Sequence, residues 1–330
     1  MRDVSDPRPG PDELLVQVAF CGICGSDVKL YQGYHPHAIP PVVPGHEYSG
    51  VVASVGSAVT TLTIGDHITG KGAYPPAGVV VGDSENTGLV RGTRSRGLHM
   101  DGAFARYVVV KERFAVKLPD SVSLEAAALT EPLCVAINAV LSKARVMPGH
   151  RVLVAGPGTI GLLVAQLAQL QGADVMVTGL SRDENRIELA RKLGAAVVIN
   201  VQKEDLAPAI TRFSDGRGVD IAFECVGAAA SVNDCLSALA PRGQYVQVGT
   251  FGFGKQADVN LNQVIFKELA MAGVFGSIFN DWRRAVQLMA ESKVALEALI
   301  SHRFPLSRWQ EAFKVAELRS GLKVLIYPEE

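Results

Sequence analysis

The chain has 330 residues, 48% of them hydrophobic, with 32 basic residues against 33 acidic ones and a formal charge of -1. A chain of that length and core content predicts two domains that fold without disulfides or structural metals. Balanced charge without long like-charge runs argues against nucleic acid or an anionic membrane surface as the main partner, and no apolar stretch approaches the roughly 18 residues of a membrane span.

Residues 1–7 lack the apolar core of a signal peptide, so a cytoplasmic protein is expected. The five cysteines, Cys21, Cys24, Cys134, Cys225 and Cys235, are odd in number and mostly far apart. That pattern fits reduced thiols, one of them a possible metal ligand, better than a disulfide framework. Short strands over 13–20, 47–55, 66–69 and 104–110, broken by Gly and Pro, predict an irregular, mostly antiparallel β domain. From about 133, apolar strands alternate with helical patterns. Strands fall at 151–155, 174–178, 196–199, 220–224, 244–248 and 269–274, and helices at 160–171, 186–193 and 232–239. Six strands with intervening helices predict a parallel, doubly wound α/β sheet. After Gly276 come a helix (282–290), a strand (300–304), a helix (307–317) and a last strand (323–327), a tail too short for a third domain and expected to pack back on the first.

The run Gly156-Pro157-Gly158-Thr159-Ile160-Gly161 fits G-x-G-x-x-G, a weak signal alone. Here it follows a strand and opens a helix, which is the context for a pyrophosphate at the helix N-terminus. The alternative is a tight strand-helix turn without a ligand. Where an NAD site places an acid at the end of the second strand, this chain has Gly179, followed by Leu180-Ser181-Arg182. A missing carboxylate removes repulsion against a 2′-phosphate, and Ser181 and Arg182 can donate to one, which favours NADP over NAD. On the opposite reading, Asp183 or Glu184 turns back to do the acid's work and Arg182 is merely solvated.

Cys24, in Cys21-Gly22-Ile23-Cys24-Gly25-Ser26-Asp27, and the cluster Gly45-His46-Glu47 supply thiolate, imidazole and carboxylate, the ligand types of a catalytic zinc with an open fourth position. A lone Cys or His is more often core filler. Adjacent His and Glu in a Gly-flanked turn before an apolar strand are less easily explained that way.

With these motifs the chain resembles the zinc-dependent medium-chain dehydrogenases, the alcohol, polyol and threonine dehydrogenase family. The resemblance spans nearly the whole length and includes Val55-Gly56, Gly65-Asp66, Asp101-Gly102-Ala103-Phe104-Ala105, Leu118-Pro119, Glu131-Pro132, Leu193-Gly194-Ala195 and Gly321-Leu322-Lys323-Val324. It implies a GroES-like catalytic domain in two pieces, 1–132 and 273–330, around a Rossmann cofactor domain, 133–272. It also implies that Cys24, His46 and Glu47 ligate zinc, and that Glu131 binds the metal or holds its water. The competing reading of Glu131 is a charge at a helix N-terminus. Cys21 aligns with a position that does not bind metal, and it and the other three cysteines are read as buried thiols. The implied cofactor site comprises Gly156, Gly158, Thr159, Ile160, Gly161, Ser181, Arg182, Arg186, Val226, Val248, Gly249 and Thr250. Zinc acts on the alcohol as a Lewis acid, hydride passes to the nicotinamide, and the proton leaves through the Ser26 hydroxyl. Lys29 stands where many relatives end this relay with histidine, and it serves only if its pKa is depressed or else holds ribose or substrate. Family assembly implies a homodimer or homotetramer paired through the strand at 269–274.

The sequence also departs from the family. The four structural-zinc positions are Pro76, Val79, Gly82 and Val90, so one catalytic zinc and no structural zinc is expected, with this lobe held by packing or mobile. Relatives begin with an extra strand pair before the segment equivalent to Val4–Glu13, and this chain opens inside that segment. Leu30 and Gly276 stand at substrate positions that are aromatic and basic in the polyol enzymes, which weakens a strict sorbitol assignment. The expected function is an NAD(P) oxidoreductase interconverting a secondary alcohol or sugar-like polyol and the ketone. The alternatives are a zinc-free NADPH reductase of quinones or enones, which needs none of the zinc residues, and a catalytically silent dinucleotide-binding protein.

Overall fold

The computed structural model describes residues 4–252 and 254–329; the first three residues of the 1–7 segment lie outside them. Two compact units divide the chain, Met1–Cys134 with Ser277–Glu330, and Val135–Gly276.

In the first unit, burial alternates along the first half of the strand Glu13–Gly22, with Leu14, Val16 and Val18 buried, as the period-two geometry of a half-buried strand requires. They pack with Tyr48, Val52, Ile68, Val108 and Val110 into one core. Among the described residues the sheet has seven strands. Its path runs Ile300–Pro305, Lys323–Tyr327, Glu13–Gly22, Glu47–Val55, His67–Gly70, Ala115–Lys117, with Tyr107–Lys111 also pairing against Glu13–Gly22. All pairings are antiparallel except that between Ile300–Pro305 and Lys323–Tyr327. The C-terminal strand thus completes the sheet begun by the N-terminal one, Cys21 facing Ile326.

Arg96 clamps the base of the lobe that lacks zinc ligands, at Tyr74 and Asp101 on its flanks. Its guanidinium is buried and donates to the carbonyls of Asp101 (2.9 Å) and Val109 (2.6 Å) and to the Tyr74 hydroxyl (2.9 Å). It also lies over the rings of Tyr48 and Tyr74, so five groups converge on one cation. Farther along the lobe, Asp83 pairs with Arg283 at 2.7 Å.

In the second unit six parallel strands lie in the order Val197–Asn200, Asp174–Gly179, Arg151–Ala155, Val219–Glu224, Leu239–Gln247, Ala270–Gly273. This is the doubly wound arrangement, in which ligands bind at the carboxyl ends of the strands around the point where strand order reverses. The fifth strand starts earlier than the sequence suggests. The register slips between Val219/Leu239 and Ile221/Gln244, where Arg242 takes a positive φ of 63°. Among the described residues no helix is long and apolar enough to cross a membrane.

Candidate active site

Gly22 faces Glu47 across the antiparallel ladder, so the chain leaving one strand meets the chain entering the other at the same end of the sheet. That register brings the Cys24 sulfur, a His46 nitrogen and a Glu47 oxygen within 4.8 Å of one another, the one such trio of His, Cys, Asp or Glu among the described residues. Soft sulfur, imidazole and carboxylate in one cluster suit zinc.

Two residues given no role by the sequence reading organise this cluster. Asp27, fully buried in the first turn of the helix Gly25–Tyr31, accepts hydrogen bonds from Cys24 N (2.9 Å) and Gly45 N (3.2 Å). Its Oδ1 also lies 3.5 Å from His46 Nδ1, which leaves Nε2 as the nitrogen available to a metal. Burial alone would lower the His46 pKa, but the charge and hydrogen bond of Asp27, reinforced by Cys24, hold it well above the usual value. Lys323, buried, donates to the Glu47 carboxylate and to the Ile23 carbonyl at 3.3 Å. Burial opposes its charge, but Glu47 and then Cys24 outweigh that and raise its pKa. The only trace of Lys323 in the sequence was the run Gly321–Val324, read for family likeness alone.

Glu131 sits in the first turn of the helix Thr130–Ile137, as the helix-charge reading has it, and it is not a member of the 4.8 Å trio. It still shares the cluster's field. Burial raises its pKa, and among its neighbours His46 lowers it while Glu47 raises it. Ser26 and Lys29 lie half-buried on the helix that follows Cys24, three residues apart and so on one face. Cys21 is buried, and burial followed by the charges of Asp27 and Glu47 pushes its pKa well up, which keeps it a thiol. Cys134 and Cys235 are buried too, but Cys225 is only half-buried, contrary to expectation, because it is the first residue past the strand Val219–Glu224, at the carboxyl end of the parallel sheet.

Lys71 is a second buried amine in this unit, donating to the Ser277 carbonyl at 2.7 Å. Burial lowers its pKa from 10.5 to about 8. Between those values the unfolded chain holds the proton that the folded chain has lost, so stability rises with pH across that window. Wild type should gain roughly 3 kcal/mol over Lys71→Met between pH 8 and 10.5, with the difference flat below pH 8, as read by urea unfolding.

In the second unit the carboxyl ends of four strands carry the residues expected to bind cofactor. The helix Thr159–Leu170 opens at Gly158 with no side-chain cap, so its first N–H groups are available to an anion. A Cβ at Gly158 would meet nothing within 4 Å, whereas one at Gly161 would lie 1.9 Å from the Gly156 carbonyl. The first glycine leaves room for a ligand and the second lets helix and loop touch, so the loop fits a pyrophosphate. At Gly179 a Cβ would come within 2.9 Å of the Pro157 ring, so no side chain fits there as the loop stands. The two alternative acids have partners of their own. Asp183 accepts from Leu180 N (3.1 Å) and pairs with Arg186 (3.4 Å), and Glu184 pairs with Lys203 (2.9 Å). Ser181 and Arg182 are exposed just beyond the strand. Val226, Val248, Gly249 and Thr250 follow the strands Val219–Glu224 and Leu239–Gln247.

Two family models match the chain, the alcohol dehydrogenase GroES-like domain over residues 10–120 and the zinc-binding dehydrogenase over residues 159–291. D-arabitol-phosphate dehydrogenase of Enterococcus avium is 35% identical over 331 residues, covering 99% of this chain and 94% of the relative. The chain belongs to the zinc-binding dehydrogenase family. Sorbitol dehydrogenase of Halalkalibacterium halodurans is 34% identical over 329 residues, with 99% and 95% covered. Among solved structures, a zinc-binding dehydrogenase from Sinorhizobium meliloti 1021 bound to NADP superposes with a TM-score of 0.91 at 32% identity, covering 99% of this chain and 95% of that one. The protein is thus an oxidoreductase of the zinc-binding dehydrogenases, with a GroES-like and a Rossmann-like unit.

Proposed function

We propose that the chain is a zinc-dependent NAD(P) oxidoreductase that interconverts a secondary alcohol or sugar-like polyol with the corresponding ketone. The convergence of Cys24, His46 and Glu47 within 4.8 Å carries this reading, because a zinc-free reductase has no use for such a trio. When bound, zinc supplies Lewis-acid polarisation of the alcohol oxygen, and the nicotinamide supplies the hydride acceptor.

The chain's own residues do the rest. Cys24, His46 and Glu47 hold the metal, and Asp27 orients His46 through Nδ1. Lys323 offsets the Glu47 charge and fixes this buried carboxylate beside Cys24 and His46. Glu131, outside the trio, holds water or substrate beside the metal. The Ser26 hydroxyl would relay the alcohol proton, accepting it while passing its own on toward the cofactor ribose and solvent, and Lys29, one turn further along the same helix face, holds ribose or substrate. The glycine loop and the N–H groups of Thr159, Ile160 and Gly161 receive the pyrophosphate.

Several features favour NADP over NAD. Gly179 offers no carboxylate and no space for one, Ser181 and Arg182 can donate to a 2′-phosphate, and one similar structure holds NADP. The named substrates of the relatives, arabitol phosphate and sorbitol, support a polyol as the substrate class. One zinc per chain is expected, since Pro76, Val79, Gly82 and Val90 stand where the four cysteines would be. Five free thiols suit a reducing, cytoplasmic setting.

The test is a panel of polyols, polyol phosphates and secondary alcohols with NAD and NADP in parallel, before and after chelation. Zinc-dependent turnover with NADP preferred is expected. Turnover that survives complete zinc removal moves the protein to the reductase branch, and better activity with NAD overturns the reading of Gly179, Ser181 and Arg182.

Self-association is proposed through the edge strand Ala270–Gly273, whose outer side is unpaired among the described residues. Around it Ile265, Phe266, Met271 and Phe275 are exposed, Phe266 by 82%, more apolar surface than an edge strand facing solvent usually carries. Sedimentation should give a dimer or tetramer for wild type and a smaller species for Met271→Arg. A monomeric wild type would remove the proposal.

A further inference from the structure

The carboxylate of Glu224, at the end of the strand Val219–Glu224, is fully buried and has no part in the roles assigned above. No basic side chain pairs with it among the described residues. Its partners are neutral donors: Val226 N at 3.0 Å, Gly227 N at 2.9 and 3.0 Å to its two oxygens, the Ser231 hydroxyl, and Gln247 Nε2 at 2.5 Å. Its backbone carbonyl accepts from Val248 N (2.9 Å) and Gly249 N (2.8 Å). The Gln247 amide reaches on to the Gly249 carbonyl at 2.6 Å and accepts from the Tyr245 hydroxyl.

One residue therefore fixes both segments that leave the sheet here, 225–227 and 248–250. The segments also interlock, since a Cβ on Gly249 would lie 2.4 Å from Gly227 N and one on Gly227 2.3 Å from the Thr250 carbonyl. A carboxylate leaves water without a counter-ion only where donors replace its hydration shell. An apolar side chain would pack the same space without that cost, but it would leave the Val226 and Gly227 N–H groups without their acceptor. Strand order reverses between Arg151–Ala155 and Val219–Glu224, which puts the adenosine side by Asp174–Gly179 and the nicotinamide side by the Glu224 segments.

We propose that Glu224 is a positioning residue of the dinucleotide site, holding segments 225–227 and 248–250 in the shape that receives the nicotinamide half of the cofactor. This rests on the reading that the unit binds NAD(P). Glu224→Gln is the direct probe. Both carboxylate oxygens accept N–H groups, so either orientation of the new amide sets a donor against a donor.

The experiment measures binding by the zinc-loaded chain, with NADPH and NADH as intact dinucleotides and 2′,5′-ADP and AMP as the halves lacking nicotinamide. Glu224→Gln is expected to weaken the preferred dinucleotide roughly 10- to 100-fold while leaving its adenosine half unaffected. Ser231→Ala, which removes one donor and leaves the carboxylate, should show a smaller loss in the same direction and serves if Glu224→Gln does not fold. Equal losses for the intact dinucleotide and its half would reveal a merely structural role and overturn the proposal, as would undiminished dinucleotide affinity. A wild-type chain that binds the halves and intact dinucleotides not at all would instead overturn the dinucleotide reading, and this proposal with it.

Discussion

Replacing Cys24 by serine, or stripping the metal with a chelator, should cut alcohol oxidation by at least about a thousandfold, because Lewis-acid stabilisation amounts to several kcal/mol and each 1.36 kcal/mol is tenfold in rate. Dinucleotide affinity should survive, since the glycine loop and the other proposed cofactor residues, Lys29 apart, belong to the unit Val135–Gly276, whereas the trio belongs to the other. Steady-state kinetics, elemental analysis and dinucleotide titration on the same preparation separate the two effects. One zinc per wild-type chain is expected, and none in the variant. Two per chain would contradict the reading of Pro76, Val79, Gly82 and Val90, and full turnover in the metal-free chain would overturn the zinc mechanism.

The second large effect belongs to Lys323→Met. The ion pair with Glu47 is almost completely sequestered, with side-chain exposures of 5% and 2%. Removing one partner of such a pair leaves an uncompensated buried charge and costs about 3–5 kcal/mol. Urea unfolding of the metal-free proteins should show that loss. Zinc should restore part of it in the variant, because a divalent cation beside Glu47 replaces the missing ammonium. Glu47→Gln combined with Lys323→Met should lose less than the sum of the single changes. Additive losses, or a variant indifferent to zinc, would mean that Lys323 does not act through Glu47.

Both effects turn on contacts that the sequence discloses unevenly. Strands with alternating or continuous apolar runs, such as Arg151–Ala155 and Glu47–Val55, are legible because burial sets their period. The glycine loop is legible because its chemistry is local. The helix Leu124–Ala127 has no signal of its own, and Thr130–Ile137 shows only through the helix-charge reading of Glu131, since Ala126–Leu129 and Leu133, Cys134 and Ala136 are all buried, which leaves no polar face to mark a helical period. Lys323 is illegible in its role because Glu47 lies 276 positions away along the chain. Asp27 was in view within Cys24-Gly25-Ser26-Asp27, but its partner His46 is joined to it only by the pairing of two strands. Arg96 reads as an ordinary basic residue in a polar segment, since two of the three groups it donates to are backbone carbonyls, which carry no side-chain signature.

The crowding between Gly179 and Pro157 bears on how cofactor preference could change. If selectivity at this strand end depended on charge alone, one substitution to aspartate would invert it. Here the new side chain would have to enter space bounded by the Pro157 ring at 2.9 Å and by Ile187 at 3.1 Å, and the proline belongs to the loop proposed to cradle the pyrophosphate. An engineer, or a lineage, moving this enzyme from one dinucleotide to the other must therefore remodel the strand end and the glycine loop together. The intermediate with only the acid installed would bind both cofactors poorly, a valley that makes the proposed preference for NADP hard to leave by single steps.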